Sequence, residues 1–232
     1  MSPIVHRARG IESAASAHGH VVVIDVLRAF TTAAYAFASG VERIVLVASA
    51  EEAFALRARM SNAVLVGEHE GRKITGFDHG NSPAEIARTD LHGKVVVLRS
   101  SSGTQGAMLA ARADTLLLGS LVVASATARA ARAASAEIHI VALGAPNSTD
   151  IEEDEACADL LASLIEARTL DQAEIAERVR SSPAARRGFD PAVEWISRED
   201  VEHALAIDQF DFAMLARREG GRLIARAQRL VS

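Results

Sequence analysis

Val21-Val22-Val23-Ile24 is an uninterrupted run of β-branched apolar residues, and the carboxylate of Asp25 follows it directly. A second run of four apolar residues, Val95-Val96-Val97-Leu98, lies in the middle of the chain. Runs without polar alternation are typical of strands buried on both faces of a largely parallel sheet. The two runs therefore predict an α/β protein whose sheet is covered by helices on both faces.

Similar β-branched segments alternate with alanine-rich segments over the first two thirds of the chain. Strands are predicted at residues 20–26, 42–47, 63–66, 94–99, 115–118 and 137–143. Helices are predicted at 28–39, 51–60, 83–88, 104–112 and 122–134. This alternation predicts a layered α/β/α fold with a largely parallel or mixed sheet. Later segments at 152–167, 171–180, 198–206 and 210–228 predict a helical C-terminal region.

Composition limits the classes of protein and partner. A chain of 232 residues that is 49% hydrophobic can form a single α/β catalytic domain over residues 1–232, or two closely packed lobes with a cleft between them. A net charge of −5, with scattered Lys and Arg, argues against nucleic-acid and membrane partners. One cysteine, Cys157, excludes an internal disulfide framework, and no segment resembles a signal peptide or a membrane span. We therefore expect a cytoplasmic protein.

Polar residues follow four of the predicted strands. They are Asp25 with Arg28 after the first strand, Glu68 after the third, Ser100 to Thr104 after the fourth, and Asp150 to Asp154 after the sixth. Ligands of open α/β sheets bind beyond the carboxyl ends of the strands, so these four loops are expected to share one rim. Asp25 could act in catalysis or metal binding, or it could only pair with Arg28 or cap a helix. The planar fork of Arg28 suits a phosphate, carboxylate or sulfonate group.

Three further segments offer ligands for an anion or a hard cation, and each has a structural alternative. The turn-rich segment 74–83 contains Asp78 and Asn81, although Asn81 could only cap the helix after it. The loop 100–104 could cradle a phosphate, or it could be an ordinary serine-rich loop. The acidic cluster 150–155 could bind Mg²⁺ or only stabilise a helix start.

Five motifs occur in order along residues 20–165. They are Asp25-Val26-Leu27-Arg28-Ala29, Gly67-Glu68, Gly76-Phe77-Asp78-x-Gly80-Asn81-Ser82-Pro83, Ser102-Gly103-Thr104 and Glu153-Asp154-x-x-Cys157-Ala158. Together they resemble the motifs of the 2-phosphosulfolactate phosphatase family. The resemblance implies an Mg²⁺-dependent α/β phosphatase that hydrolyses (2R)-O-phospho-3-sulfolactate to (2R)-3-sulfolactate and phosphate, a step towards coenzyme M.

The same resemblance assigns roles to individual residues. It implies that metal binding involves Asp25, Glu68, Asp78 and Asp154. The implied catalytic residues are Asp25, Arg28 and Asp78, and the implied substrate-binding residues are Arg28, Asn81, Ser102, Gly103 and Thr104. The expected partner is a small anionic phosphorylated substrate. The protein could be a homodimer or a monomer.

The chain departs from the family pattern at three places. Ser100-Ser101-Ser102 stands where relatives tend to have Thr-Thr-Asn, no Asn follows Gly119-Ser120, and Asp159 stands where Gly is usual. The substrate could therefore be another phosphorylated hydroxy acid, or the cleft could bind a small anion without catalysis.

The reaction route is also open. Asp25 could attack phosphorus and form an aspartyl-phosphate, or it could orient a metal-bound water. His69 and His79 could donate a proton to the leaving group, or they could be surface residues.

Overall fold

Ten strands form a single mixed sheet in the structure, a computed structural model that describes residues 3–146 and 149–229. The strands are β1 (Ile4–Arg9), β2 (His20–Ile24), β3 (Arg43–Leu46), β4 (Ala63–His69), β5 (Arg72–Lys73), β6 (Val95–Arg99), β7 (Thr115–Gly119), β8 (Glu137–Ala142), β9 (Ala213–Glu219) and β10 (Arg222–Gln228). Their order across the sheet is β1-β8-β2-β7-β9-β10-β3-β6-β4-β5. The predicted α/β class is therefore confirmed, and each of the six predicted strands is present.

Helices cover both faces of the sheet. They are α1 (Ala29–Ala38), α2 (Ala50–Arg57), α3 (Pro83–Ala87), α4 (Gly103–Leu109), α5 (Ala124–Ala134), α6 (Glu152–Ile165), α7 (Gln172–Ser181), α8 (Pro183–Arg187) and α9 (Arg198–Ala204). Short 3-10 helices occur at Ile11–Ala15 and Leu121–Val123. In β2, Val21 and Val23 face the core that contains α1, while Val22 and Ile24 face the core that contains α5 and α6. Both faces of this strand are buried, as the apolar run predicted.

The prediction of a helix at residues 210–228 is wrong. This segment forms the hairpin of β9 and β10, whose strands pair antiparallel from Ala213 with Gln228 to Glu219 with Arg222. Its alanines, leucines and arginines favour a helix, but Gly220 and Gly221 both have positive φ and make the tight turn of a hairpin. Strand β1 was not predicted at all: the sequence Ile-Val-His-Arg-Ala-Arg has neither a long apolar run nor a regular alternation, and the strand lies at an edge of the sheet.

The hairpin joins two sets of parallel strands that run in opposite directions. On one side, β7 pairs antiparallel with β9 and belongs to the parallel set β1, β8, β2 and β7. On the other side, β3 pairs antiparallel with β10 and belongs to the parallel set β3, β6 and β4. In a flat sheet, the carboxyl ends of the two sets would therefore point in opposite directions along the strands.

Twist brings the two sets of carboxyl ends together again. Strand β6 lies five pairings from β2, and a twist of roughly 20–25° per pairing turns it by more than about 100°. Helix α1 packs inside the resulting concave face, where Phe30 contacts a core shared by β2, β3, β6 and β7. The loops after β2, β4, β6 and β8 consequently meet beside the N-terminus of α1. Within the described residues, none of the helices is long and apolar enough to cross a membrane.

Candidate active site

A cleft of about 310 Å³ lies where these loops meet. It brings together six of the residues that the resemblance selected, namely Asp25, Arg28, Glu68, Asn81, Ser102 and Asp154. Two contacts cross the cleft between the oppositely directed halves of the sheet. Arg28 Nη2 donates to the carbonyl oxygen of Gly71 at 3.0 Å, and the Ser102 hydroxyl donates to the carbonyl oxygen of Gly144.

Asp25 is buried at the end of β2 and is held by backbone groups. Its Oδ1 accepts the Ala29 N–H at 2.9 Å. Its Oδ2 lies so close to Gly103 that a Cβ at that position would be 2.7 Å away. Burial, followed by the nearby charge of Glu68, raises the pKa of Asp25 to about 6. The carboxylate is therefore a better proton acceptor near neutral pH than an exposed Asp.

Glu68 connects β4 to the loop after β6. Its Oε2 accepts the Gly71 N–H at 2.6 Å and the Ser101 hydroxyl at 3.1 Å, while its Oε1 accepts the Ser101 N–H. The carboxylate is buried and lines the cleft. Because three donors fix its two oxygens, Glu68 is a rigid source of negative charge.

Arg28 is the buried cation of the cleft. Its Nη1 lies 3.4 Å from Asp200 Oδ2, and its guanidinium carbon lies 5.5 Å from the centre of the Trp195 ring. Asp200 is itself fixed by the backbone N–H of Ser197 at 3.0 Å. With Gly71 on its other nitrogen, the guanidinium is held in one orientation before any ligand binds.

Asp154 and its neighbour Glu153 approach the cleft from the start of α6. Asp154 accepts the Val26 N–H at 2.7 Å and the Gly144 N–H at 2.8 Å, and burial raises its pKa well above the ordinary value. Glu153 is only 4% exposed, and its Oε2 has no hydrogen-bond partner within the described residues. Burial, with a contribution from the charge of Asp25, raises the pKa of Glu153 to about 7.

Asp78 is not brought to this cleft. The segment 77–79 runs back beside β4, so that Asp78 Oδ2 accepts the Leu65 N–H at 2.7 Å and pairs with the half-buried Arg57. Its backbone N–H likewise donates to Leu65. Gly76, whose φ is positive, allows the turn before Asp78. The position of Asp78 corrects the expectation that its carboxylate joins the metal-binding group.

Three other predicted residues have different surroundings from those expected. Thr104 does not line the cleft, because its hydroxyl closes the loop by donating to the Ser100 carbonyl oxygen at 2.9 Å. His69 is exposed, and His79 Nδ1 contacts Glu85 at 2.8 Å. Neither histidine lines the cleft.

The donor set of the cleft fits a hard cation such as Mg²⁺. Asp25, Glu68, Glu153 and Asp154 are buried acidic groups that line the cleft with the buried Arg28, and the exposed Arg187 also lines it, so acidic groups outnumber basic ones. Asn81 Oδ1 and Glu153 Oε2 are also buried without a partner in the described chain. Among the described residues, no three carboxylates here bring ligand oxygens within 4.8 Å of one another. The arrangement therefore suits an ion held by one or two carboxylates together with substrate oxygens and water.

Sequence reasoning missed three residues that shape the cleft. Glu153 precedes Asp154 in the last motif, but acidic residues at the start of a helix are common because they stabilise it. The sequence therefore did not indicate that the Glu153 side chain lies in the cleft. Trp195 and Asp200 lie beyond the motifs and carry no local signal. Only the structure shows that they hold Arg28.

Comparison with known proteins connects the chain to one family. The sequence model of 2-phosphosulpholactate phosphatase matches residues 5–217. A Bacillus subtilis protein is 33% identical over 86% of this chain and 87% of its own length. A Carboxydothermus hydrogenoformans protein is 35% identical over 90% of this chain and 91% of its own length, and one from Thermus thermophilus is 36% identical over 82% and 78%. All three are described as probable 2-phosphosulfolactate phosphatases.

Proposed function

The chain belongs to the 2-phosphosulfolactate phosphatase family, and we propose that its cleft hydrolyses the phosphate ester of (2R)-O-phospho-3-sulfolactate in the presence of Mg²⁺. The observation that carries this proposal is the pre-held guanidinium of Arg28 facing four buried carboxylates in one cleft. A guanidinium recognises phosphate or sulfonate oxygens, and carboxylates can hold the cation that such a dianion requires. The cytoplasmic location, the link to coenzyme M and the homodimer stay predictions.

Arg28 is expected to orient the substrate. Gly71 and Asp200 occupy one N–H of each terminal nitrogen, which leaves other N–H groups of the guanidinium for an anion. The Trp195 ring restricts the guanidinium plane. A substrate anion would therefore meet donors that need little rearrangement, which favours binding without a large loss of side-chain entropy.

Mg²⁺ would be held by Asp25 or Asp154 together with substrate oxygens. When bound, the ion would withdraw charge from the phosphate oxygens and so lower the barrier to displacement. It would also offset the mutual repulsion of carboxylates whose pKa values are raised. Loss of turnover on chelation, restored by added Mg²⁺, is the expected result. Undiminished turnover after complete chelation would contradict the requirement.

The reaction breaks the bond between phosphorus and the alkoxide oxygen of the sulfolactate. Asp25 either attacks phosphorus through a carboxylate oxygen, after which water hydrolyses the aspartyl-phosphate, or accepts a proton from an attacking water. Glu153, with a pKa of about 7, is placed to donate the proton that the leaving alkoxide requires. Radiolabelled phosphate retained on Asp25 after an acid quench would support the covalent route, and its absence would favour direct attack by water.

The overall proposal is tested by phosphate release from a panel of phosphoesters with and without Mg²⁺. The panel contains phosphosulfolactate, phospholactate and a neutral alkyl phosphate. Preference for phosphosulfolactate supports the proposed substrate, whereas preference for phospholactate indicates another phosphorylated hydroxy acid. Binding of these anions without any phosphate release would indicate a non-catalytic protein.

The role of Glu153 is tested by changing the leaving group. Glu153→Gln should lower turnover of an alkyl phosphate by roughly 10²–10⁴-fold, the usual contribution of general acid catalysis. Hydrolysis of p-nitrophenyl phosphate should change much less, because its leaving group departs without a proton. Equal losses on both substrates would assign Glu153 to cation binding or structure instead.

A further inference from the structure

A group of histidines lies on the outer part of the sheet, away from the cleft. His6 of β1 and His139 of β8 are partners in the parallel pairing of these strands. Glu137 precedes His139 by two residues, so both side chains lie on the same face of β8. The three residues can each offer one ligand atom within 4.8 Å of the others, and within the described part of the chain they are the only such group of three His, Cys, Asp or Glu residues.

The contacts within this group already bring nitrogen and carboxylate ligands together. His6 Nε2 lies 2.9 Å from Glu137 Oε1. The rings of His6 and His139 stack with centroids 4.6 Å apart and planes inclined by 21°. Two ligands of a tetrahedral zinc ion lie about 3.3 Å apart, since the bonds to nitrogen and oxygen are about 2 Å long. Small side-chain rotations would suffice, and His6 and Glu137 are exposed enough to make them.

A third imidazole borders the group. The ring of His18 lies with its centroid 4.8 Å from that of His139. Its Nδ1 lies 3.1 Å from the carbonyl oxygen of Ser16, which requires this nitrogen to carry the proton and leaves Nε2 as the basic nitrogen. A histidine whose second nitrogen donates to a backbone carbonyl is the usual arrangement around protein-bound metals.

We propose that His6, Glu137 and His139 bind a divalent transition-metal ion of the zinc type, which ties β1 to β8. Two imidazoles and a carboxylate suit this class of ion, whereas the oxygen donors of the cleft suit Mg²⁺. Strand β1 is one of the two edge strands of the sheet, and within the described residues it pairs only with β8. A metal bridge between the two strands would therefore hold an edge strand that one neighbouring strand supports.

Zinc binding to chelator-treated protein in excess Mg²⁺ tests the site. A chromophoric chelator in competition should report one zinc equivalent with a dissociation constant below about 10 μM. Glu137→Gln or His139→Ala should weaken this affinity by roughly 10-fold or more. His92→Ala, a matched histidine far along the chain from the group, should leave it unchanged. Weaker or absent binding in the parent protein would overturn the proposal.

A second measurement separates this site from the cleft. Asp25→Asn should keep the zinc equivalent, because Asp25 belongs to the cleft; its loss in Asp25→Asn would overturn the proposal. Zinc should also slow hydrogen exchange of the amides in β1 in the parent protein and in Asp25→Asn, but not in His139→Ala. Equal protection in His139→Ala would show that the ion does not act through this group. Neither readout depends on phosphatase activity.

Discussion

At the scale of single residues, the position of the Asp25 carboxylate depends on Gly103, which has no side chain. A Cβ added at Gly103 would lie 2.7 Å from Asp25 Oδ2 and 2.7 Å from the Ala29 Cβ. Neither atom can move away easily. Ala29 is part of α1, and the Asp25 carboxylate accepts a hydrogen bond from the Ala29 N–H. Gly103→Ala is therefore expected to displace Asp25 and lower turnover by at least about tenfold, which a loss of 1.4 kcal/mol in transition-state stabilisation would produce.

Gly80→Ala is the matched control for this substitution. A Cβ there meets its nearest neighbour, Lys73, at 3.6 Å, which is ordinary contact. Steady-state kinetics of both variants, with circular dichroism to check folding, measure the difference. Normal turnover in Gly103→Ala would show that the close packing around Asp25 is not required.

Asp25→Asn tests the charge of the carboxylate itself. The amide has almost the same volume, but it cannot attack phosphorus or accept a proton in the same way. We expect turnover to fall at least about a hundredfold while the fold persists. A native circular dichroism spectrum with near-normal turnover would make Asp25 a structural residue only.

Glu153 links the cleft to the pH dependence of stability. Its pKa in the folded protein is about 7, above the ordinary value of 4.5, so the folded state binds more protons between these pH values. The free energy of unfolding contributed by Glu153 must therefore fall as the pH rises through this window. Glu153→Gln should remove that loss and stabilise the protein at pH 8 by about 1–3 kcal/mol, with little gain at pH 4.

Denaturant unfolding without divalent cations, repeated across this pH range, measures the effect. Glu174→Gln, in exposed surroundings on α7, is the control and should change stability little. A constant difference between Glu153→Gln and the parent protein at every pH would mean that Glu153 does not titrate in this window.

Sequence reasoning at this scale succeeded where a residue directly follows a strand. Asp25 follows β2 and Glu68 is the penultimate residue of β4, so their approximate positions follow from the strands themselves. It failed for Asp78, because the direction in which a loop turns back is set by tertiary contacts with Leu65 and Arg57. It also could not find Asp200, whose contact with Arg28 joins residues 172 positions apart.

At the scale of elements, the hairpin of β9 and β10 shows the limit of local propensity. Ala, Leu and Arg favour helices in isolation, yet Met214 and Ala216 are buried in the centre of the sheet. Burial of such side chains outweighs helix propensities of less than about 1 kcal/mol per residue. The two consecutive glycines were the signal that could have indicated a hairpin.

Gly221 provides a test of the hairpin. Its φ is +80°, and an added Cβ would meet nothing within 4 Å, so backbone strain is the only cost of Gly221→Ala. That strain should destabilise the protein by about 1–2 kcal/mol. Thermal unfolding should show a fall of roughly 2–8 °C. Gly80→Ala, whose φ is not positive, serves again as the control, and an equal fall in both variants would contradict the explanation.

At the scale of the whole molecule, the sequence correctly predicted one cleft at the ends of the strands, but for an incomplete reason. The expectation placed the carboxyl ends of four strands at one rim of a largely parallel or mixed sheet, whereas β2 and β6 belong to halves of opposite direction. The loops meet because the twist accumulated over five pairings compensates for the reversal. Twist of this kind depends on the number and order of strands, which could not be obtained without the placement of β9 and β10.

The central position of the hairpin has a consequence for biosynthesis. A ribosome releases β1 to β8 before β9 and β10, although the last two strands are the only connection between β7 and β3 in the finished sheet. Until residues 213–228 emerge, β7 and β3 both present open edges, and open edges readily pair with other chains. A nascent chain stalled before this point would thus expose two edges at which it could associate with other chains.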